Sequence, residues 1–98
     1  MKILSPHKWT GWITVEIDGR RVEAKVYDTP STFGINDGRV SKLTIMKTAV
    51  RDPNADYLAQ CAYNYDRGLD FDDLPAGMLD NVVSQLEALP SCPSRPTR

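Results

Sequence analysis

Long apolar runs are missing from this 98-residue chain. No stretch approaches the roughly 18 consecutive apolar residues that a spanning helix needs, so no membrane segment is expected. The start has Lys2 but no apolar block after it, which argues against a signal peptide and for an intracellular protein. Histidine occurs once, at His7. A zinc site or a nucleophile–base pair needs more partners than that, so neither is expected. Two cysteines, Cys61 and Cys92, do not make a disulfide framework and read as free thiols. No glycine-rich phosphate loop follows a strand pattern. No block of basic residues resembles a nucleic-acid arm.

What is present is a strand pattern. Ile13, Val15 and Ile17 alternate with Trp12, Thr14 and Glu16. Val22, Ala24 and Val26 alternate with Glu23, Lys25 and Tyr27. Period two with one apolar face is the signature of a half-buried strand. Asp18-Gly19 between the arms is a strong hairpin signal. A hairpin alone is marginal in water, so the rest of the chain must add strands and a cover. Val40–Lys47 supplies a third strand. Its apolar residues fall on both faces, which fits a strand covered on both sides or one adjusted by a bulge. Residues 55–65 admit two readings. Propensity at the start favours a helix, whereas tyrosine at every second position near the end favours a strand. The reading adopted is a fourth strand, Leu58–Tyr65. Ile3 and Leu4 add to a sheet edge, and Ser5-Pro6 ends that extension.

Pro75–Leu89 reads as a helix. Met78, Leu79, Val82, Val83, Leu86 and Leu89 recur at three- and four-residue spacing, Pro75 suits the first turn, and Pro90 stops the run. One apolar stripe lays such a helix across one sheet face. The expected fold is therefore α+β: a four-stranded, mainly antiparallel sheet with one C-terminal helix packed on one face. Residues 1–90 form a single domain, and 91–98 form a disordered tail.

Two connections carry the remaining information. Residues 28–39 hold Pro30, Gly34, Asn36 and Gly38 for turning, with Phe33 and Ile35 pinning the loop to the core. Residues 66–73 read as an acidic loop. It lacks the ligand pattern of a calcium loop, although clustered carboxylates leave a magnesium site open. In the structural reading Arg67 pairs with Asp66 or Asp70, Asp72 or Asp73 caps the helix, and Leu69 and Phe71 tie the loop to the core. Charge is split along the chain. Residues 1–51 carry nine Lys/Arg against five Asp/Glu, and residues 52–98 carry three against eight. Such a split marks a dipolar surface for a partner, or two halves that face each other.

Two stretches resemble a group of small phage and prophage proteins. They are Ala24-Lys25-Val26-Tyr27-Asp28-Thr29-Pro30-Ser31 with Phe33-Gly34-Ile35-Asn36-Asp37-Gly38-Arg39-Val40-Ser41-Lys42-Leu43, and Asn64-Tyr65-Asp66-Arg67-Gly68. The resemblance carries no assigned activity. It implies an accessory role in the cytoplasm of a bacterial host, of which inhibition of a host defence system is one form. The two stretches are expected to meet at one rim of the sheet. The candidate rim is Tyr27, Asp28, Phe33, Asn36, Arg39, Lys42, Tyr65, Asp66, Arg67 and Asp70, as bracing or as a recognition surface. Trp12, opposite the apolar face, is a candidate interface aromatic. The expected function is non-enzymatic protein–protein interaction with a host or phage protein, with a homodimer as one form. No catalytic residue, metal or cofactor is assigned. The alternatives are a metal-dependent or carboxylate-based enzyme, and a nucleic-acid module that stacks bases on Trp12, Tyr27 and Tyr63.

Overall fold

Alternating residues line up six strands: β1 (Lys2–Ser5), β2 (Trp12–Ile17), β3 (Arg20–Val26), β4 (Val40–Met46), β5 (Cys61–Asp66) and β6 (Leu69–Asp72). One helix follows, α1 (Met78–Glu87). The computed structural model describes residues 1–96. The strands form one sheet in chain order, and every neighbouring pair is antiparallel. The fold is thus α+β with an antiparallel sheet and a C-terminal helix, but with six strands rather than four.

The expected hairpin is present. Asp18 and Gly19 both have positive φ, 51° and 73°. That geometry matches the right-handed twist of the two arms. Ile13, Val15 and Ile17 of β2 and Val22, Ala24 and Val26 of β3 face α1. They meet Val82, Val83 and Leu86 of the helix, together with Val40, Leu43, Ile45 and Tyr63. Burying each Val, Leu or Ile side chain contributes roughly 1.5–3 kcal/mol. This one-sided seam therefore holds sheet and helix together.

The broken period of the third strand has its cause in a bulge. Lys25 pairs Lys42, yet Val26 pairs Val40, so one extra residue, Ser41, is inserted. The insertion returns Val40 to the helix side with Leu43 and Ile45. A second irregularity lies between Ile45 and Met46. Met46 and Cys61 are buried outside that core cluster.

Three local expectations need correction. β5 begins at Cys61, because residues Leu58–Gln60 form a 3-10 turn. The Gln60 side chain closes the preceding loop, bonding Asp52 N–H and the carbonyls of Asp52, Ala55 and Asp56. Second, the acidic loop contains a strand. Leu69 and Phe71 alternate with Asp70 and Asp72 in β6, and a two-residue period over four residues is too short to stand out among carboxylates. Leu69 itself is exposed and ties nothing to the core. Third, α1 spans Met78–Glu87, and neither Asp72 nor Asp73 caps it. Gly77 occupies the cap position without a side-chain bond, while Asp72 accepts from Leu74 N–H at 3.0 Å.

Residues 91–96 carry no helix or strand. Residues 97 and 98, the end of the expected tail, lie outside the described residues.

Candidate functional site

The two faces of the sheet differ in what covers them. α1 covers the inner face. The loop 47–60 folds over one end of the outer face. Its Tyr57 donates to Glu23 Oε1 at 2.8 Å, and the Arg51 guanidinium lies 4.6 Å from the centre of the Tyr57 ring. Arg21 Nε donates to Glu23 Oε2 at 2.9 Å. Burial pushes the Tyr57 phenol above its ordinary pKa, opposed by the Thr44 hydroxyl and assisted by Glu23. Beyond this loop the outer face is open.

Two cross-strand rows cross the outer face, the first in its open part and the second partly under the loop, where Thr44 is buried. The first runs Trp12, Lys25, Lys42, Asp66, each residue the direct partner of the next on the adjacent strand. At about 4.8 Å per strand, the row spans about 14 Å. The second runs Thr14, Glu23, Thr44, Asn64. Here Thr44 donates to Asn64 Oδ1 at 2.8 Å, and Asn64 Nδ2 donates to Asp70 Oδ2 at 2.6 Å. Lys42 Nζ is 3.6 Å from Asp66 Oδ1, and Arg67 Nε is 3.4 Å from the same oxygen. Lys25 Nζ sits 5.1 Å from the centre of the Tyr27 ring, a cation–π contact. Trp12 and Tyr27 are 40% and 41% exposed, so two aromatics flank Lys25 at the corner of the face.

The proposed rim divides between two places. Tyr27, Lys42, Asp66, Arg67 and Asp70 belong to the open face and its margin, where the separate interface aromatic Trp12 also lies. Asp28, Phe33, Asn36, Arg39 and Tyr65 belong to the loop 28–39 and what it touches. Tyr65 donates from its hydroxyl to Phe33 O at 2.9 Å, and Arg67 N–H donates to Ser41 O at 2.9 Å. The loop and the end of β5 therefore do meet. Ile35 is buried in the core, whereas Phe33 is 60% exposed and does not pin the loop. Asn36 is exposed, with φ 53° in a short 3-10 turn. Arg39 is engaged from every side. Its guanidinium donates to the carbonyls of Tyr27, Glu87, Leu89 and Pro90 at 2.7–3.2 Å. It closes the C-terminal end of α1, where carbonyls lack partners.

Sequence reasoning missed the outward rows through Lys25 and Glu23, and the hydrogen-bond chain from Thr44 through Asn64 to Asp70. The alternation that placed Val22, Ala24 and Val26 inside also placed Glu23 and Lys25 outside, so the signal was there. It also missed a contact between His7 and Cys92, for which the sequence has no signal. Cys92 Sγ is 3.1 Å from His7 Nε2. Tyr63, a candidate for stacking, is buried at 2% exposure and is removed from that role.

Among the described residues no group of three His, Cys, Asp or Glu side chains is arranged to hold a metal ion. No described helix is long and apolar enough to cross a membrane. An open depression of about 580 Å3 lies beside the loop 47–60, lined in part by Leu4, Glu16, Arg21 and Arg51. Its two arginines are already turned to Glu23.

A family model described as Domain of unknown function (DUF7678) matches residues 10–87. The chain belongs to that family. The DUF7678 match takes in β2 through α1, and with them the open face and the Arg39–Glu87 contact. His7 and Cys92 fall outside it. No curated protein matches the chain, and no solved structure matches it.

Proposed function

We propose that this DUF7678 protein is a non-enzymatic binding module that docks a protein partner on the open part of the outer sheet face. The observation that carries this reading is the corner where half-exposed Trp12 and Tyr27 flank Lys25. Aromatic anchors beside a charged margin are what protein interfaces use: the rings supply contact area at low entropic cost and the charges set register. Lys42, Asp66, Arg67 and Asp70 provide that margin. The resemblance to phage and prophage proteins supplies a setting. The partner is then a host or phage protein in the bacterial cytoplasm, and interference with a host defence system is one outcome of docking. A second copy of the chain is the simplest partner of this kind.

Capture from bacterial lysate tests the reading. Wild-type protein retains a partner, and Trp12→Ala with Tyr27→Ala loses it while circular dichroism and melting stay unchanged. Capture undiminished in that double variant removes the corner as the docking site. Sedimentation across a concentration series reports whether the partner is a second copy.

One observation favours a second reading, single-stranded nucleic acid. Lys25 and Lys42 are direct cross-strand neighbours on an exposed face, where like charges repel unless an anion lies between them. Salt-sensitive retention of an oligonucleotide, lost in Lys25→Gln, would support that reading.

A further inference from the structure

The sheet ends in two bare strands of opposite charge. β1 and β6 lie at its two margins, each paired on one side alone. The outward N–H and C=O groups of such an edge are a template for another strand. Lys2, Ile3 and Leu4 are exposed on β1, and Leu69, Asp70 and Asp72 are exposed on β6. Residues 1–15 carry Lys2 and Lys8 and no acidic residue, whereas residues 66–73 carry Asp66, Asp70, Asp72 and Asp73 against Arg67. Strand order follows chain order, so the charge split along the chain becomes a split across the sheet. Among the described residues Lys2, Asp70 and Asp72 make no ion pair. Two β1 edges brought together would set lysine against lysine, and two β6 edges aspartate against aspartate. Like edges therefore repel, while β1 and β6 attract and both carry exposed apolar residues.

We propose that copies of this chain join head to tail, β1 of one against β6 of the next, into a continuous antiparallel sheet. Strand direction permits it. Every neighbouring pair is antiparallel, so β1 and β6 of one molecule run opposite ways. A second copy laid beside the first in the same orientation then sets its β1 antiparallel to the first copy's β6. Both copies keep α1 on the same side, and each lengthens the sheet by about 29 Å. The contact joins two different surfaces, so each added copy leaves one edge of each kind free for the next. It is also weak. Both edge strands are four residues long and both pair with an irregular register, which limits the hydrogen bonds either can offer. The edges are separate from the Trp12–Tyr27 corner, so this contact stands or falls independently of docking there.

The test is sedimentation velocity of the full chain over a concentration series. The wild type grows past the mass of a dimer without a plateau between about 10 µM and about 1 mM, as a small open-ended contact does. Added salt weakens the association several-fold. Lys2→Glu and Asp72→Lys, each shown by circular dichroism to be folded, stay monomeric alone. Their equimolar mixture associates again, because each then meets an edge of opposite sign. Asp72 also accepts from Leu74 N–H, so a readout without substitution is added. At high concentration amide hydrogen exchange of the wild type slows in both β1 and β6 and is unchanged in β4. Trp12→Ala with Tyr27→Ala associates like the wild type. A wild type that stays monomeric or stops at a dimer would overturn the proposal. So would protection at one edge alone, a mixture as monomeric as its components, or loss of association in the Trp12 and Tyr27 variant, which would move the contact to the corner.

Discussion

Arg39 and Glu87 hold each other twice, with backbone and side chain exchanging roles. The Arg39 backbone N–H donates to Glu87 Oε2 at 2.8 Å, and Arg39 Nη1 donates to the Glu87 carbonyl at 3.0 Å. The contact fixes the loop 28–39 against the end of α1, so loop, helix and the strand end at Tyr27 behave as one piece.

Removing that guanidinium therefore acts on stability first. Arg39→Ala is expected to lower the unfolding free energy by about 2–3 kcal/mol in urea denaturation. Arg39→Lys recovers less than half, because an ammonium cannot reach several carbonyls in a fixed fork. Loss of a partner in Arg39→Ala would thus report the fold, which is why the docking test rests on Trp12 and Tyr27.

The same loop has a tight crossing. A Cβ added at Gly34 would collide with the Gly38 carbonyl, while one at Gly68 would meet nothing within 4 Å. Gly34→Ala should cost about 2–3 kcal/mol and Gly68→Ala should change stability by less than about 0.5 kcal/mol. Thermal melts of the two variants check the contrast.

The open face predicts the opposite behaviour from the core. Trp12 is half exposed and lies across the sheet from the helix, so Trp12→Ala is expected to stay within about 1 kcal/mol of the wild type. Val22→Ala, which empties space at a fully buried site, should cost about 2 kcal/mol. Denaturant midpoints of the two proteins measure this directly.

Tyr63 gives the chain an alkaline limit. Burial, with Asp72 nearby, pushes its phenol up to about 12 from an ordinary 10. The unfolded chain releases that proton earlier than the native one, so stability falls as pH rises between those two values. Ultraviolet titration should show the Tyr63 phenol ionising at about 12, and Tyr63→Phe should flatten that alkaline loss.

The strands with strict alternation and the helix with its apolar stripe were legible, because each signal lies within a dozen neighbouring residues. Ser41 shows where legibility stops. A bulge moves one residue out of register, so Val40 and Leu43 share a face that simple counting denies them. β6 was hidden because Asp70 and Asp72 dominate four residues. On the site side, Trp12 and Tyr27 could be placed outside from parity alone. The role of Arg39 at the end of α1 and the meeting of His7 with Cys92 depend on chain segments 48 and 85 residues apart, and no local pattern encodes them.

Strand order that follows chain order has a consequence for how the molecule is made. Each new strand needs only the one before it, so no long segment must close before the sheet can grow. Assembly by successive addition from the Asp18-Gly19 bend follows. Until α1 docks, the apolar side of such a sheet stays bare, so the helix is the element that completes the core.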